Sequence, residues 1–184
     1  AVSGGATVQA GTTVREPVLT IAKAIASGPA SPDAGDILGY TVTIAHTGGS
    51  TADAYDVAFI DTLDAHTGLL LAADGAPADP AITLTGGAVG ALSGPPATGN
   101  ATLAGEFDMP LGGSVQIVYY VRLKDSVQPA DSLDNDADIA WTSLDGVVAG
   151  ERTGADGPGG ALNDYAATST TSRLGPWTPW MRIF

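Results

Sequence analysis

Apolar residues recur at every second position through most of this chain, and helical spacing is nearly absent. Val8, Ala10, Thr12 and Val14 alternate with other residues in a first segment that Pro17 interrupts. In the following LTIAKAI, Leu19, Ile21 and Ile25 share one face. ILGYTVTIAH sets Leu38, Tyr40, Val42 and Ile44 on one side, and YDVAFIDTL holds Val57, Phe59, Asp61 and Leu63 in phase. SVQIVYYVRLK is the longest such run and aligns Val115, Ile117, Tyr119, Val121 and Leu123. DNDADIAW groups Asn135, Ala137, Ile139 and Trp141, leaving Asp134, Asp136 and Asp138 on the opposite face. Residues 64–100 read mostly as loop, with short strands near Leu69–Leu71 and Ile82–Thr85. Leu103 and Phe107 mark another strand, and a last one is expected around Tyr165–Thr171, after the glycine-rich GERTGADGPGGA. Short strands separated by turn signals predict an all-β, antiparallel sandwich with N- and C-terminal extensions. The expected divisions are an N-terminal strand or linker over 1–16, the sandwich over 17–171, and an aromatic tail over 172–184.

Composition narrows the class of protein. With 184 residues, 44% of them hydrophobic, the chain can build one full core and is not broadly disordered. Twenty acidic residues against seven basic ones give a net charge of −13, which repels phosphate backbones and argues against a nucleic-acid partner. Cysteine is absent, so neither disulfides nor a thiolate metal site is available. No apolar run is long enough to form a transmembrane helix. The sequence begins at Ala1 with neither a methionine nor a basic and apolar leader, as expected of a mature or excised chain.

Several short motifs occur in a telling order. Gly35-Asp36 leads into Tyr40-Thr41, Thr47-Gly48-Gly49 follows, Asp61-Thr62-Leu63 ends a strand, and Asn135-Asp136-Ala137 opens a late one. Gly150–Gly154 and Asn163-Asp164-Tyr165 continue the series. Together they resemble the immunoglobulin-like repeat of bacterial and archaeal surface proteins known as domain of unknown function eleven, over roughly residues 17–171. His46 stands where that repeat usually has asparagine, and the tail GPWTPWMRIF has no counterpart in it. The resemblance implies an immunoglobulin-like sandwich. It also implies an extracellular or cell-surface location and a structural, non-enzymatic role in an adhesin or envelope protein.

Three polar residues sit on apolar faces. Lys23 lies between Ile21 and Ile25, Asp61 between Phe59 and Leu63, and Asn135 ahead of Ala137 and Ile139. Isolated buried charges cost about several kcal/mol each, so the three are expected to meet. A lysine, an acid and an asparagine in an apolar core have the chemistry for an intramolecular isopeptide bond. Burial favours a neutral lysine amine and a protonated Asp61, which can hydrogen-bond the Asn135 carbonyl and carry protons. Immunoglobulin-like surface domains are known for such bonds, joining a first-strand lysine to a last-strand asparagine. The alternative is an uncrosslinked Lys23–Asp61 ion pair capped by Asn135.

Other candidates are fewer. Asp131, Asp134, Asp136 and Asp138 could bind calcium, but Ile139 stands where a calcium loop of the EF-hand type needs glycine, and a solvated acidic strand face that discourages edge aggregation explains them better. His46 and His66 have no serine or metal partner in sequence. At the ends, the strand around Val8 and Val14 could complete a neighbour's sheet, and Trp177, Trp180 and Phe184 could dock on the chain itself or on another copy. The expected partners are neighbouring copies or tandem repeats of the chain. A glycan- or calcium-binding adhesin module using residues 64–100 is the other function class.

Overall fold

The computed structural model describes residues 11–128, 131–154 and 165–174. Among them the strands are β1 (Leu19–Ser27), β2 (Ile37–His46), β3 (Ala54–Thr62), β4 (Thr67–Leu70) and β5 (Ala81–Thr85). They continue with β6 (Val89–Leu92), β7 (Thr102–Met109), β8 (Ser114–Leu123), β9 (Ser132–Thr142) and β10 (Ala166–Leu174). One 3₁₀ turn spans Ala72–Asp74.

The strands form two antiparallel sheets. One runs β1-β2-β8, with β4 and β5 sharing the far side of β8 end to end. The other runs β10-β9-β3-β7-β6. Their inner faces are the apolar stripes of the sequence: Tyr40 and Val42 of β2, Ile117 of β8, Phe59 of β3, Phe107 of β7 and Ile139 of β9 are all buried in one continuous core. This is the two-layer arrangement that strict alternation demands, because each strand can bury only one of its faces.

β3 keeps its phase through a bulge. Register shifts occur against both β7 and β9 at residues 54–58, and Asp56 adopts a left-handed φ of 46°. An aspartate tolerates that conformation better than a branched residue. Its amide donates to Asp108 Oδ1, and its carboxylate accepts from the Thr142 hydroxyl and the Gly146 amide. The extra residue lets Ala54 and Val57 both point inward, and Asp61 follows in phase.

The fold bears on two expectations. Residues 11–18 form no strand, and Val14 is 73% exposed. Instead the Thr51 amide donates to the Glu16 carbonyl at 2.9 Å, and the Glu16 amide donates to Thr51 Oγ1 at 3.0 Å. At the edge of β1 the backbone of Lys23 is met by hydroxyls of β10: the Lys23 amide donates to Ser169 Oγ and Thr171 Oγ1 donates to the Lys23 carbonyl, both at 3.1 Å. Residues 64–100 are mostly loop, as expected, and the two short strands read near Leu69–Leu71 and Ile82–Thr85 are β4 and β5; with β6, which the sequence did not show, they finish the edges of both sheets. β6 escapes sequence reading because three of its four residues are exposed and Gly90, at φ 138°, breaks the alternation. Val8 and the aromatic residues Trp177, Trp180 and Phe184 lie outside the described residues.

Candidate functional site

Lys23, Asp61 and Asn135 lie on three strands that the sandwich brings together. Lys23 sits opposite Val42 on edge strand β1, and Asp61 sits opposite Ala137 in the other sheet. Asn135 is two residues before Ala137 and so shares its inward face. Thr171, which bonds the Lys23 carbonyl, is the register partner of Asn135. Lys23 and Asn135 are thus held on the two sides of β10.

All three are buried, and the side chains of Lys23 and Asp61 have no exposed surface. Lys23 Nζ donates to Asp61 Oδ1 at 2.6 Å. Asp61 Oδ2 accepts from the Tyr119 hydroxyl at 2.8 Å, and that hydroxyl accepts from Asn135 Nδ2 at 3.0 Å. The result is one chain of hydrogen bonds, Lys23–Asp61–Tyr119–Asn135, crossing between the sheets. Tyr119 stacks on Tyr40 with ring centroids 5.4 Å apart, and Lys23 Nζ lies 5.2 Å from the Tyr40 centroid. The aromatic faces provide the ammonium with cation–π contact where water cannot reach it.

The expected direct contact between Asp61 and the Asn135 carbonyl is replaced by this relay. Asn135 Oδ1 has no hydrogen-bond partner among the described residues, although it is fully buried. The polarity follows from the donor inventory. A carboxylate only accepts, so Tyr119 must spend its one proton on Asp61, and its oxygen is then left to accept from the Asn135 amide nitrogen. Tyr119 is the residue that sequence reasoning missed. Its signal was present: a tyrosine on the apolar face of a central strand must find a partner for its hydroxyl.

Burial dominates the electrostatics. It pulls the Lys23 ammonium below its ordinary range, with the attraction of Asp61 opposing the shift. It pushes the Asp61 carboxyl up, with Lys23 and the Tyr119 hydrogen bond opposing. Burial and the neighbouring Asp61 also hold the Tyr119 phenol well above its usual value. Both shifts within the pair favour passing a proton from Nζ to Oδ1, which would leave a neutral amine beside a neutral acid.

The remaining candidates are scattered. Asp134, Asp136 and Asp138 alternate along the outer face of β9, where Thr168 donates to Asp138 and Asp134 holds Ser132 at 2.8 Å. Asp131 accepts the Gln128 amide at 2.7 Å and lies 3.6 Å from His66. Their carboxylates do not converge, because residues two apart on a strand are separated by about 7 Å. Among the described residues the carboxylates that do converge are those of Asp56, Asp108 and Asp145, around the β3 bulge. His46 ends β2, where its ring meets Ser50 Oγ at 2.7 Å and the Met109 carbonyl at 3.0 Å, and so tethers a loop.

No protein-family model matches the chain, and no curated protein sequence matches it either. Solved structures do. The T6 backbone pilin of serotype M6 Streptococcus pyogenes superimposes with a TM-score of 0.50 at 12% identity, covering 86% of this chain and 36% of that one. The fold is an immunoglobulin-like β-sandwich. The full-length major pilin SpaD from Corynebacterium diphtheriae gives 0.46 at 13% identity over 85% of this chain and 34% of its own. A collagen-binding domain from a Staphylococcus aureus adhesin gives 0.42 at 11% identity, covering 86% of this chain and 98% of that domain. The chain spans about a third of the length of these two pilins.

Proposed function

We propose that this chain is a non-enzymatic structural unit of a cell-surface stalk or filament, and that an isopeptide bond between Lys23 and Asn135 locks its sandwich. The observation that carries the reading is the buried chain Lys23–Asp61–Tyr119–Asn135. A charged pair in an apolar core confers little net stability over apolar residues of the same volume, so it calls for a chemical reason. The crosslink supplies one. It would convert two buried polar ends into a single amide and tie edge strand β1 to β9 of the opposite sheet. Likeness in fold to a backbone pilin supports the structural role, as does the ordered set of motifs resembling a surface repeat. An acidic, cysteine-free chain is compatible with life outside the cell, where a covalent lock other than a disulfide is useful.

Intact mass spectrometry tests the lock. The expected mass is that of the full sequence less one ammonia, and N135A is expected at its full sequence mass. A wild-type chain at full mass would remove the crosslink. Pulling single molecules by their ends tests the mechanical role. The residues between Lys23 and Asn135 should contribute no extension in the wild type and extend fully in N135A. Equal extension in the two would remove the mechanical role.

A further inference from the structure

Between the acid and the amide stands a hydroxyl, and its position is specific. Tyr119 OH donates to Asp61 Oδ2 at 2.8 Å and accepts from Asn135 Nδ2 at 3.0 Å. Nδ2 is the atom that must leave as ammonia if Lys23 attacks the side-chain amide. The other amide atom, Oδ1, has no partner. Asp61 has both its oxygens engaged, one by Lys23 and one by Tyr119.

From this geometry we infer that Tyr119 is a catalytic residue of the crosslinking reaction, relaying a proton from Asp61 to the leaving nitrogen of Asn135. The inference rests on the crosslink reading given above. Lys23 first gives one proton to Asp61 and becomes a neutral amine. Its lone pair forms the new bond to Asn135 Cγ, and the carbonyl π electrons move to Oδ1. With Lys23 neutral, the Asp61 carboxyl turns its O–H from Lys23 to Tyr119 while the Tyr119 O–H turns to Nδ2, and Asp61 passes its proton to the Tyr119 oxygen as the Tyr119 hydroxyl proton moves to Nδ2. The Cγ–Nδ2 bond breaks as the carbonyl re-forms, and ammonia departs. The surplus proton on the former lysine nitrogen returns to Asp61 and leaves with ammonia as ammonium. Lysine nitrogen loses two protons, the amide nitrogen gains two, and Asp61 and Tyr119 end as they began.

The stacked Tyr40 ring gives the relay its fixed position. Tyr119 lies directly opposite Tyr40 in the β2–β8 register, and the two rings are nearly parallel at 17°. A phenol held in this way cannot swing off the line between acid and amide without disturbing the core.

The test is Y119F, which keeps the ring and deletes the hydroxyl. The wild type and Y119F are made by cell-free translation, sampled by acid quench over time, and weighed. Crosslinking in folded Y119F is expected to slow roughly a hundredfold, the usual worth of a positioned proton-transfer group. If the wild type crosslinks and folded Y119F does so at the same rate, the relay is wrong and the lock stands. If the wild type never loses ammonia, the lock itself is wrong. Should Y119F fail to fold, 3-fluorotyrosine at position 119 retains the ring and hydroxyl but makes the hydroxyl more acidic. A several-fold change in rate is then expected, and an unchanged rate overturns the relay.

Discussion

The Lys23–Asp61 pair is held at 2.6 Å without exposed side-chain surface, and its response to pH follows from burial. In a chain that cannot crosslink, such as N135A, the two partners act on stability in different pH windows. Asp61 binds its proton more tightly in the folded chain, so its contribution is fullest below the ordinary value of 3.8 and is lost as pH climbs through the raised one. Lys23 binds its proton less tightly when folded, so stability is recovered as pH climbs through its lowered value towards the ordinary 10.5. Relative to the charge-free reference K23M/D61L/N135A, the melting temperature of N135A should therefore dip between these limits. Parallel profiles for the two proteins would count against the pair titrating in this way. The positions of Lys23, Asp61 and Asn135 were legible from strand phase alone. The link between them was not, since a tyrosine in phase with four aliphatic residues reads as core until its hydroxyl is seen to bridge two other strands.

Strands β1 and β10 meet at a corner of the sandwich where two sheets end. β1 is an edge strand, and an uncovered edge is an invitation to pair with another chain. Here the hydroxyls of Ser169 and Thr171 bond the amide and carbonyl of Lys23, so the backbone of that residue is fixed from outside as its side chain is fixed from within. The double variant S169A/T171A loses two hydrogen bonds of about 1 kcal/mol each. Its melting temperature should fall by about 4–8 °C, measured by calorimetry in the N135A background, where the proposed lock makes no contribution. No change would mean that water replaces both hydroxyls at no cost. Sequence reading placed a strand around Tyr165–Thr171, yet its serines and threonines carry no local sign of a partner in the other sheet. Of the N-terminal strand or linker, the described residues 11–16 alternate at Thr12 and Val14 without pairing, and the segment is tied to the fold through Glu16 and Thr51.

Across the whole molecule, a Lys23–Asn135 bond would close a loop of roughly 110 residues, a restriction of the unfolded chain comparable to a long-loop disulfide at about 4–5 kcal/mol. N135A should therefore melt about 10–18 °C below the wild type. K23A should fall further, because it also strands Asp61 as a buried acid without its partner, at a cost of about 3–5 kcal/mol. If N135A and the wild type melt together, the bond contributes nothing to stability. The sequence by itself determined which face of each main strand is buried and which three polar residues ride on those faces. Side chains alternate strictly along a strand, so facing is a local property that period-two spacing encodes. Only the tertiary structure decided which strands adjoin. It put Tyr119 between Asp61 and Asn135, brought β10 hydroxyls to the edge of β1, and gathered Asp56, Asp108 and Asp145 instead of the acids of β9. Those neighbours depend on strand order and on the register between elements far apart in the chain, which are settled when both sheets bury their apolar faces together.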